Sequence, residues 1–555
     1  MSKHIETGQN PSETELHKPP NALSLRFPAL VALALIVAFN FGIRWHLRNL
    51  PLERDEGEYA YAGQLILQGV PPYQLVYNMK FPGTYFAYAL LMAVFGQSTA
   101  GIHIGILLVT SLTAILVFLI GRELLGEAGA ALAAAIYVCL SALPMAAGLA
   151  GHATHFVSLF ACAGVYALLL ARKKNPLWWW FASGTAFGLA ILMKQHAFFF
   201  PIFILGWFFW KESRTLTGVR PVRVVLLFGA GCVVPFLITA IGFACLGLWD
   251  KFVFWTFEYA RQYVSLISPG TAVGQFVIGF GPVFESGVWV WFIGIAGMFF
   301  LFRRGNWTTP VELAGVLFLA GMAATVPGFF FRNHYFLMAM PGLALLNAGF
   351  VISASQTLSK AGIGRWSFWL SLGLALFLAG DLVWNNSWEW FGWSRAQTSP
   401  PAYGISFPAS IPIAEYLKKH TSTTDTIAVL GSEPELFFLS GRHSASGYIY
   451  MYTLTEPEPL APQMRKEFIS QIESARPRYV VFVNMPSSWF SVVEISSLKA
   501  SSDMELWWDN YSTNYALAGA VKFYMDKPAE YVWDKELANH PDVETNDDVL
   551  IYCQK

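Results

Sequence analysis

The chain has 555 residues, of which 55% are hydrophobic, 16% aromatic and only 13% charged. That is too apolar for a soluble enzyme of this size, and several apolar runs reach the roughly 20 residues that span a bilayer. Lys and Arg number 36, as do Asp and Glu, so the net charge is zero and no basic field recommends nucleic acid as a partner.

Residues 1–26 are polar and contain prolines without an early apolar core, and read as a disordered cytoplasmic tail. The apolar run 27–45 then reads as a retained signal anchor. Ten further spans are expected at 101–120, 128–147, 154–170, 177–193, 197–210, 224–248, 284–302, 311–330, 336–354 and 366–384. The expected fold class is therefore an α-helical polytopic membrane protein with about 11 transmembrane helices, its transmembrane domain running over 27–384. The pair 177–193 and 197–210 leaves a re-entrant hairpin open, because its second member is short and holds Pro201. Either reading leaves the parity unchanged. The cysteines number five: Cys139, Cys162, Cys232 and Cys245 fall within apolar runs and Cys553 stands near the end, which argues against a disulfide framework or a cysteine-based metal site.

Orientation follows from basic residues in short loops. Alternate loops carry Arg122, then Arg172, Lys173 and Lys174, then Lys211, Arg214, Arg220 and Arg223, then Arg303 and Arg304, then Lys360 and Arg365. These loops and the N-terminus are expected in the cytoplasm. An odd number of spans places residues 385–555 outside, in agreement with the charge bias. The expected location is the cell's inner (plasma) membrane. Within the tail, the apolar strands 426–430 and 479–483 alternate with amphipathic helices at 413–420 and 464–475, which predicts a small parallel α/β extracytoplasmic domain. Pro400, Pro401 and Pro408 mark its linker. Gly431-Ser432-Glu433 after the first strand lacks dinucleotide-binding glycine spacing.

The first outer loop, about 47–100, concentrates charge: Glu53, Arg54, Asp55, Glu56 and Glu58 fall within six residues. Asp55 and Tyr59 stand four apart and share a face if this stretch is helical, with Glu58 adjacent. A carboxylate aimed into a cavity from there suits a general base that takes a proton from an acceptor hydroxyl. The bland alternative is a solvated loop in which Glu53 pairs with Arg54, or a helix capped by Asp55. Farther on, Lys80 precedes an aromatic run, 84–95, that is too short to cross and is expected in the interface. Lys80, Lys194 and Arg332 fall at one membrane level. Singly each reads as an interface anchor; together they favour an anionic ligand such as a lipid phosphate. His152 and His155 are three apart without a carboxylate helper, and with His196 and His334 they give no zinc spacing, so no cofactor is expected and a divalent metal stays open without support.

Asp55-Glu56-Gly57-Glu58-Tyr59, followed by Lys80-Phe81-Pro82-Gly83, resembles the opening motifs of the GT-C superfamily of integral-membrane glycosyltransferases. The likeness is nearer to the branch of protein O-mannosyltransferases and lipid A aminoarabinose transferases, whose Lys-Pro-Pro-Leu is altered here at its first Pro and its Leu. Lys194-Gln195 after an apolar helix, and Phe331-Arg332-Asn333-His334-Tyr335 before Met340-Pro341-Gly342, resemble later motifs. Where many relatives carry an acidic residue near the fourth span, this chain has His152-Ala153-Thr154-His155. The resemblance implies inverting transfer of a single sugar from a polyprenyl-phosphate donor to a lipid, glycan or protein acceptor outside the cytoplasmic membrane. It implies Asp55 as base and Glu56 as its catalytic neighbour. Tyr59, Glu58, Lys80, Lys194, Arg332, His334 and Tyr335 become substrate-binding candidates, the three cations facing the lipid phosphate. A transporter or flippase of a lipid-linked sugar is the alternative, although its polar groups belong near the midplane and its halves often repeat. A third is an idle membrane scaffold whose outer domain binds a partner.

Overall fold

The computed structural model describes residues 26–174, 176–211, 213, 218, 220–303, 311–392, 407–456, 459–490, 498–524, 527–540 and 547–555. The expected tail up to residue 25, Arg214, Arg304, Pro400 and Pro401 lie outside the described residues.

The membrane part begins with α1 (Phe27–His46), α2 (Arg54–Leu67), α3 (Gly83–Phe95) and α4 (Thr99–Ser141). There follow α5 (Ala153–Lys174), α6 (Trp178–Met193), α7 (Phe199–Trp210) and α8 (Arg220–Cys245). Next come α9 (Trp249–Val253), a π-helical turn Phe254–Tyr259, α10 (Ala260–Tyr263) and α11 (Ala272–Glu285). The last spans are α12 (Val288–Arg303), α13 (Leu313–Ala323), α14 (Met340–Leu358) and α15 (Arg365–Phe391). Among the described residues, six helices are long and apolar enough to cross a membrane, or seven if the pair bent by 100° at the α11–α12 junction counts as one span. The expected number of about eleven is thus reached only with shorter pieces. α6, α7 and α13 fall below crossing length, and α7 and α14 are each preceded by a 3-10 turn. α4 holds two of the expected spans. Gly126 breaks it with φ 81°, and the halves fold back on each other, because a Cβ on Gly121 would lie 2.9 Å from the Ala130 Cα.

Helices with so little polarity need small residues and a few hydrogen bonds to fix their neighbours. Gly184 and Gly231 let α6 and α8 touch: a Cβ on Gly184 would stand 2.0 Å from the Phe228 carbonyl oxygen. Asn40 on α1 donates to Thr110 and Ser111 of α4 at 3.1 and 2.9 Å. Arg44 donates to the carbonyls of Ser141 and Gly148 at 2.8 and 3.0 Å.

The tail folds as an α/β domain: α16 (Phe407–His420), β1 (Thr426–Leu430), α17 (Glu435–Ser440), β2 (His443–Ser444), α18 (Tyr452–Thr455), α19 (Ala461–Ala475), β3 (Tyr479–Val483), α20 (Pro486–Trp489), α21 (Leu498–Tyr511), β4 (Tyr515–Lys522), β5 (Glu530–Trp533) and β6 (Val549–Gln554). The sheet order is β2-β1-β3-β6-β4-β5. β2, β1 and β3 are parallel, as continuous apolar strands should be when both faces are covered. The expected all-parallel sheet is corrected on its other side, where β6, β4 and β5 add antiparallel strands. β4 alternates small and apolar residues, a pattern too weak to announce a strand beforehand.

Candidate active site

α2 starts where the charge cluster stands because that cluster caps it. Glu53 accepts from the Glu56 N–H at 3.2 Å, and Glu56 accepts from the Glu53 N–H at 3.2 Å, a reciprocal capping box. Asp55 and Glu56 occupy the first turn, where carboxylates meet the positive end of the helix. The acidic residues then diverge. Asp55 faces a cavity of about 1340 Å³, which Glu53 and Tyr59 also line. Glu56 and Glu58 are fully buried and outside the lining.

Glu56, expected beside the base, is turned into the protein. One of its oxygens accepts from the Gly151 N–H and lies 3.0 Å from His103 Nε2, while His103 Nδ1 lies 3.0 Å from the Arg48 carbonyl. It bolts α2 to α4 and to the loop before α5. Burial pushes its carboxyl up, but His103 and the Gly151 N–H bring it below the ordinary value. Glu58, expected on the substrate, is enclosed by donors: Tyr85, Lys80 at 2.6 Å and Tyr450 at 2.8 Å.

Lys80 bridges Glu58 and Asp55, with 2.8 Å to the Asp55 Oδ1, and its ammonium lies 4.7 Å from the centre of the Tyr59 ring. Burial raises the Asp55 carboxyl, yet Lys80, His152 and His334 hold it well below the usual carboxylate range. Asp55 thus favours the ionised form and stands, a quarter exposed, in a mostly apolar wall. Glu53 behaves oppositely. Burial lifts it to about 7 in spite of His152, whose Nδ1 lies 3.5 Å away.

The cavity gathers the remaining candidates from distant elements. Lys194, at the end of α6, lies 4.0 Å from the centre of the Tyr335 ring and makes no ion pair among the described residues. Burial, with Lys80 adding to it, lowers Lys194 to about 7. Arg332 lies beside the Phe330 ring, and His334 approaches Asp55 to 3.8 Å. Lys80, Lys194, Arg332, His334 and Tyr335 therefore share one cavity with Asp55 and Tyr59. From this polar end the cavity continues between α7 and α8 along Phe199, Ile202, Leu205, Phe228, Val233 and Phe236.

Sequence reasoning missed the part supplied by the α/β domain. Tyr450, Tyr452, Thr453, Ser487 and Phe490 close one side of the cavity. Arg54 donates to Tyr452, to the Ser487 carbonyl at 2.9 Å and to Glu433 at 3.2 Å. The run Tyr448-Ile449-Tyr450-Met451-Tyr452, dense in aromatics in an outer domain, was the available signal.

Asp55, His152 and His334 offer donor atoms within 4.8 Å of one another, the grouping most able to share a cation. The two imidazoles are stacked, 3.9 Å between centres and 5° from parallel. A divalent ion at about 2.0–2.2 Å from a nitrogen of each would sit between parallel ring planes, off both lone-pair axes. As arranged, the two rings do not converge on one ion.

A bundle of apolar helices of unequal length, an acidic loop after the first of them and a mixed-sheet domain over one cavity form an architecture shared with solved integral-membrane structures. The chain is similar across 95% of its length to ArnT from Cupriavidus metallidurans in the apo state, with a TM-score of 0.58, 14% identity and 98% of that chain covered. ArnT bound to undecaprenyl phosphate gives 0.54, with 14% identity over 85% of this chain and 96% of that one. The Archaeoglobus fulgidus oligosaccharyltransferase also gives 0.54, with 11% identity over 94% and 75%. Residues 80–239 match the family model described as dolichyl-phosphate-mannose-protein mannosyltransferase. The undecaprenyl phosphate-alpha-4-amino-4-deoxy-L-arabinose arabinosyl transferase of Pseudomonas aeruginosa is 28% identical over 223 residues, 38% of this chain. The match spans 39% of that relative's length. The corresponding transferase 2 of Pseudomonas fluorescens is 28% identical over 317 residues, 53% of this chain and 54% of its own.

Proposed function

We propose that this multi-pass membrane protein is an inverting glycosyltransferase. It moves one sugar from a polyprenyl-phosphate donor to an acceptor hydroxyl on the outer face of the inner membrane, with its N-terminus in the cytoplasm and the α/β domain outside. One observation carries the reading: a single cavity joins an apolar groove between α7 and α8 to an ionised Asp55, with Lys194 and Arg332 in the polar part. An isoprenoid tail fits the groove, and the cations suit the phosphate. The undecaprenyl-phosphate sugar transferase activity for which the Pseudomonas relatives are named supports the donor class. The orientation is supported by Lys173, 3.1 Å from Glu123, which brings the basic end of α5 beside the turn of α4.

In this scheme Asp55 takes the proton of the acceptor hydroxyl, and that oxygen attacks the anomeric carbon opposite the phosphate. The bond from the anomeric carbon to the phosphate oxygen breaks, and Lys194 and Arg332 neutralise the departing charge. Lys80, already held by two carboxylates, orients Asp55 rather than serving the phosphate. Glu56 holds the fold.

The test uses the purified full chain in lipid nanodiscs, with undecaprenyl-phosphate aminoarabinose or mannose carrying a labelled sugar, and an envelope extract as the acceptor pool. Label should pass to the extract with release of undecaprenyl phosphate, and Asp55→Asn should abolish it while expression persists. Movement of intact donor across the bilayer without cleavage would replace this reading with a flippase.

A further inference from the structure

We infer that the α/β domain is a working part of the reaction centre, and that Tyr450 is a positioning residue setting the Lys80–Asp55 pair through Glu58. The inference rests on the function proposed above.

The geometry is a chain of four polar groups. The Tyr450 hydroxyl donates to Glu58 Oε2 at 2.8 Å, and Lys80 donates to that same oxygen at 2.6 Å and to Asp55 Oδ1 at 2.8 Å. Glu58 is completely buried, so no solvent can replace a lost donor. Its other oxygen is taken by Tyr85 of α3. Of the three donors, two come from the membrane part, and Tyr450 alone comes from 392 residues away in the outer domain. The hydroxyl has one hydrogen and two acceptors in reach, because the Arg54 carbonyl lies 3.3 Å away. The shorter contact and the negative charge direct that hydrogen to Glu58.

A lysine between two carboxylates is placed by their balance. With Tyr450 in position, Glu58 is partly satisfied and shares the ammonium with Asp55. Without the hydroxyl, the buried carboxylate must draw compensation from Lys80, the nearest cation. Lys80 then moves toward Glu58, and Asp55 loses the contact that fixes its rotamer against the acceptor. A misplacement of this kind acts on the chemical step more than on donor binding.

The seat of the domain does not depend on this hydroxyl. Arg54 binds Glu433 and the Ser487 carbonyl, the Ser444 N–H donates to Tyr61 at 2.8 Å, and the Tyr77 N–H donates to the Gly447 carbonyl at 2.8 Å. Removing one oxygen from Tyr450 therefore leaves the domain attached.

The experiment measures kcat, donor KM and the unfolding midpoint for the full chain, Tyr450→Phe, Glu58→Gln and the double variant, with the labelled undecaprenyl-phosphate sugar that the wild type uses. Tyr450→Phe should lower kcat on the order of 10- to 100-fold, the range of a lost hydrogen bond to a charged group. Donor KM should stay within about twofold and the midpoint should hold. In the Glu58→Gln background the same change should have no further effect, since both act through one carboxylate. An active wild type whose kcat is indifferent to Tyr450→Phe overturns the positioning role, and so does a loss of equal size on top of Glu58→Gln. A rise in KM with kcat unchanged also overturns it, making Tyr450 a donor contact. A wild type that transfers no sugar defeats the enzymatic reading itself, and this inference with it.

Discussion

Gly57 stands in the middle of the acidic cluster, and its missing side chain is where the α/β domain comes to rest. A methyl group there would lie 2.6 Å from the Glu435 nitrogen, 2.7 Å from its Cβ and 2.8 Å from its Cα. Two of those atoms are backbone at the start of α17, so no rotamer change can make room. Gly57→Ala gains about 0.5–1 kcal/mol in helix propensity. Overpacking against an immovable wall costs about 1–3 kcal/mol. The balance runs from about zero to a net loss of about 2.5 kcal/mol, roughly 1 kcal/mol at mid-range, concentrated at the seam between α2 and α17. Gly42 of α1 is the control, because nothing lies within 4 Å of its added Cβ and only the propensity gain applies. The assay compares unfolding midpoints in detergent and amide exchange of α2 and α17. Gly57→Ala should melt below wild type, exchange faster at Glu435 and Leu436, and transfer sugar more slowly, whereas Gly42→Ala should match or exceed wild type. A Gly57→Ala protein that melts with Gly42→Ala and protects Glu435 as wild type does would refute the contact.

Asp55→Asn should cut transfer by about 10²–10⁴-fold at constant expression, while Glu56→Gln should lower the unfolding midpoint through a broken buried pair and spare kcat per folded molecule. Comparable kcat losses in both would restore Glu56 to the reaction. Because Glu56 is held below its ordinary value, its stabilising effect is complete at neutral pH and is lost as pH falls through that lowered value. Lys194, near 7, loses charge as pH rises, so undecaprenyl phosphate should bind more weakly at pH 8 than at pH 6 by equilibrium binding, and Lys194→Arg should flatten that dependence. Invariant affinity for the wild type would exclude Lys194 from the phosphate. Burial and the neighbouring Glu433 push Glu435 up to about 8. Its folded form therefore keeps a proton that the unfolded chain releases near 4.5, and stability falls as pH rises between those values. Glu435→Gln should melt higher than wild type at pH 8 and flatten the profile, and an unchanged profile would count against an interdomain carboxyl held neutral.

The membrane helices were legible because apolar runs are local signals, whereas the cap, weighed at Asp55, falls on Glu53. β1 and β3 fell on the expected residues because a buried parallel strand is a short continuous apolar run. Asp55 stood out as the acidic residue four before Tyr59, a spacing that a helix turns into a shared face. Glu56 and Glu58 could not be told from it, because their surroundings come from His103, Gly151, Tyr85 and Tyr450, none of them near in sequence. His152 was set aside for lack of zinc spacing, yet it lies 3.7 Å from Asp55 because folding brings α5 to α2. The count of about eleven spans is left unconfirmed, because α4 joins two expected spans across Gly126 and α6, α7 and α13 are shorter than a full crossing. The antiparallel half of the sheet was hidden because β4 spends its inward positions on Ala and Gly.

The order of synthesis gives the Tyr450 contact a temporal meaning. Asp55, Lys80 and Glu58 emerge from the ribosome early, and the aromatic wall that completes their cavity emerges only after α15. β6 pairs between β3 and β4, so the sheet behind this wall closes only when residues well beyond Tyr450 are in place, and the acidic cluster of α2 is the part of the site that waits for its roof.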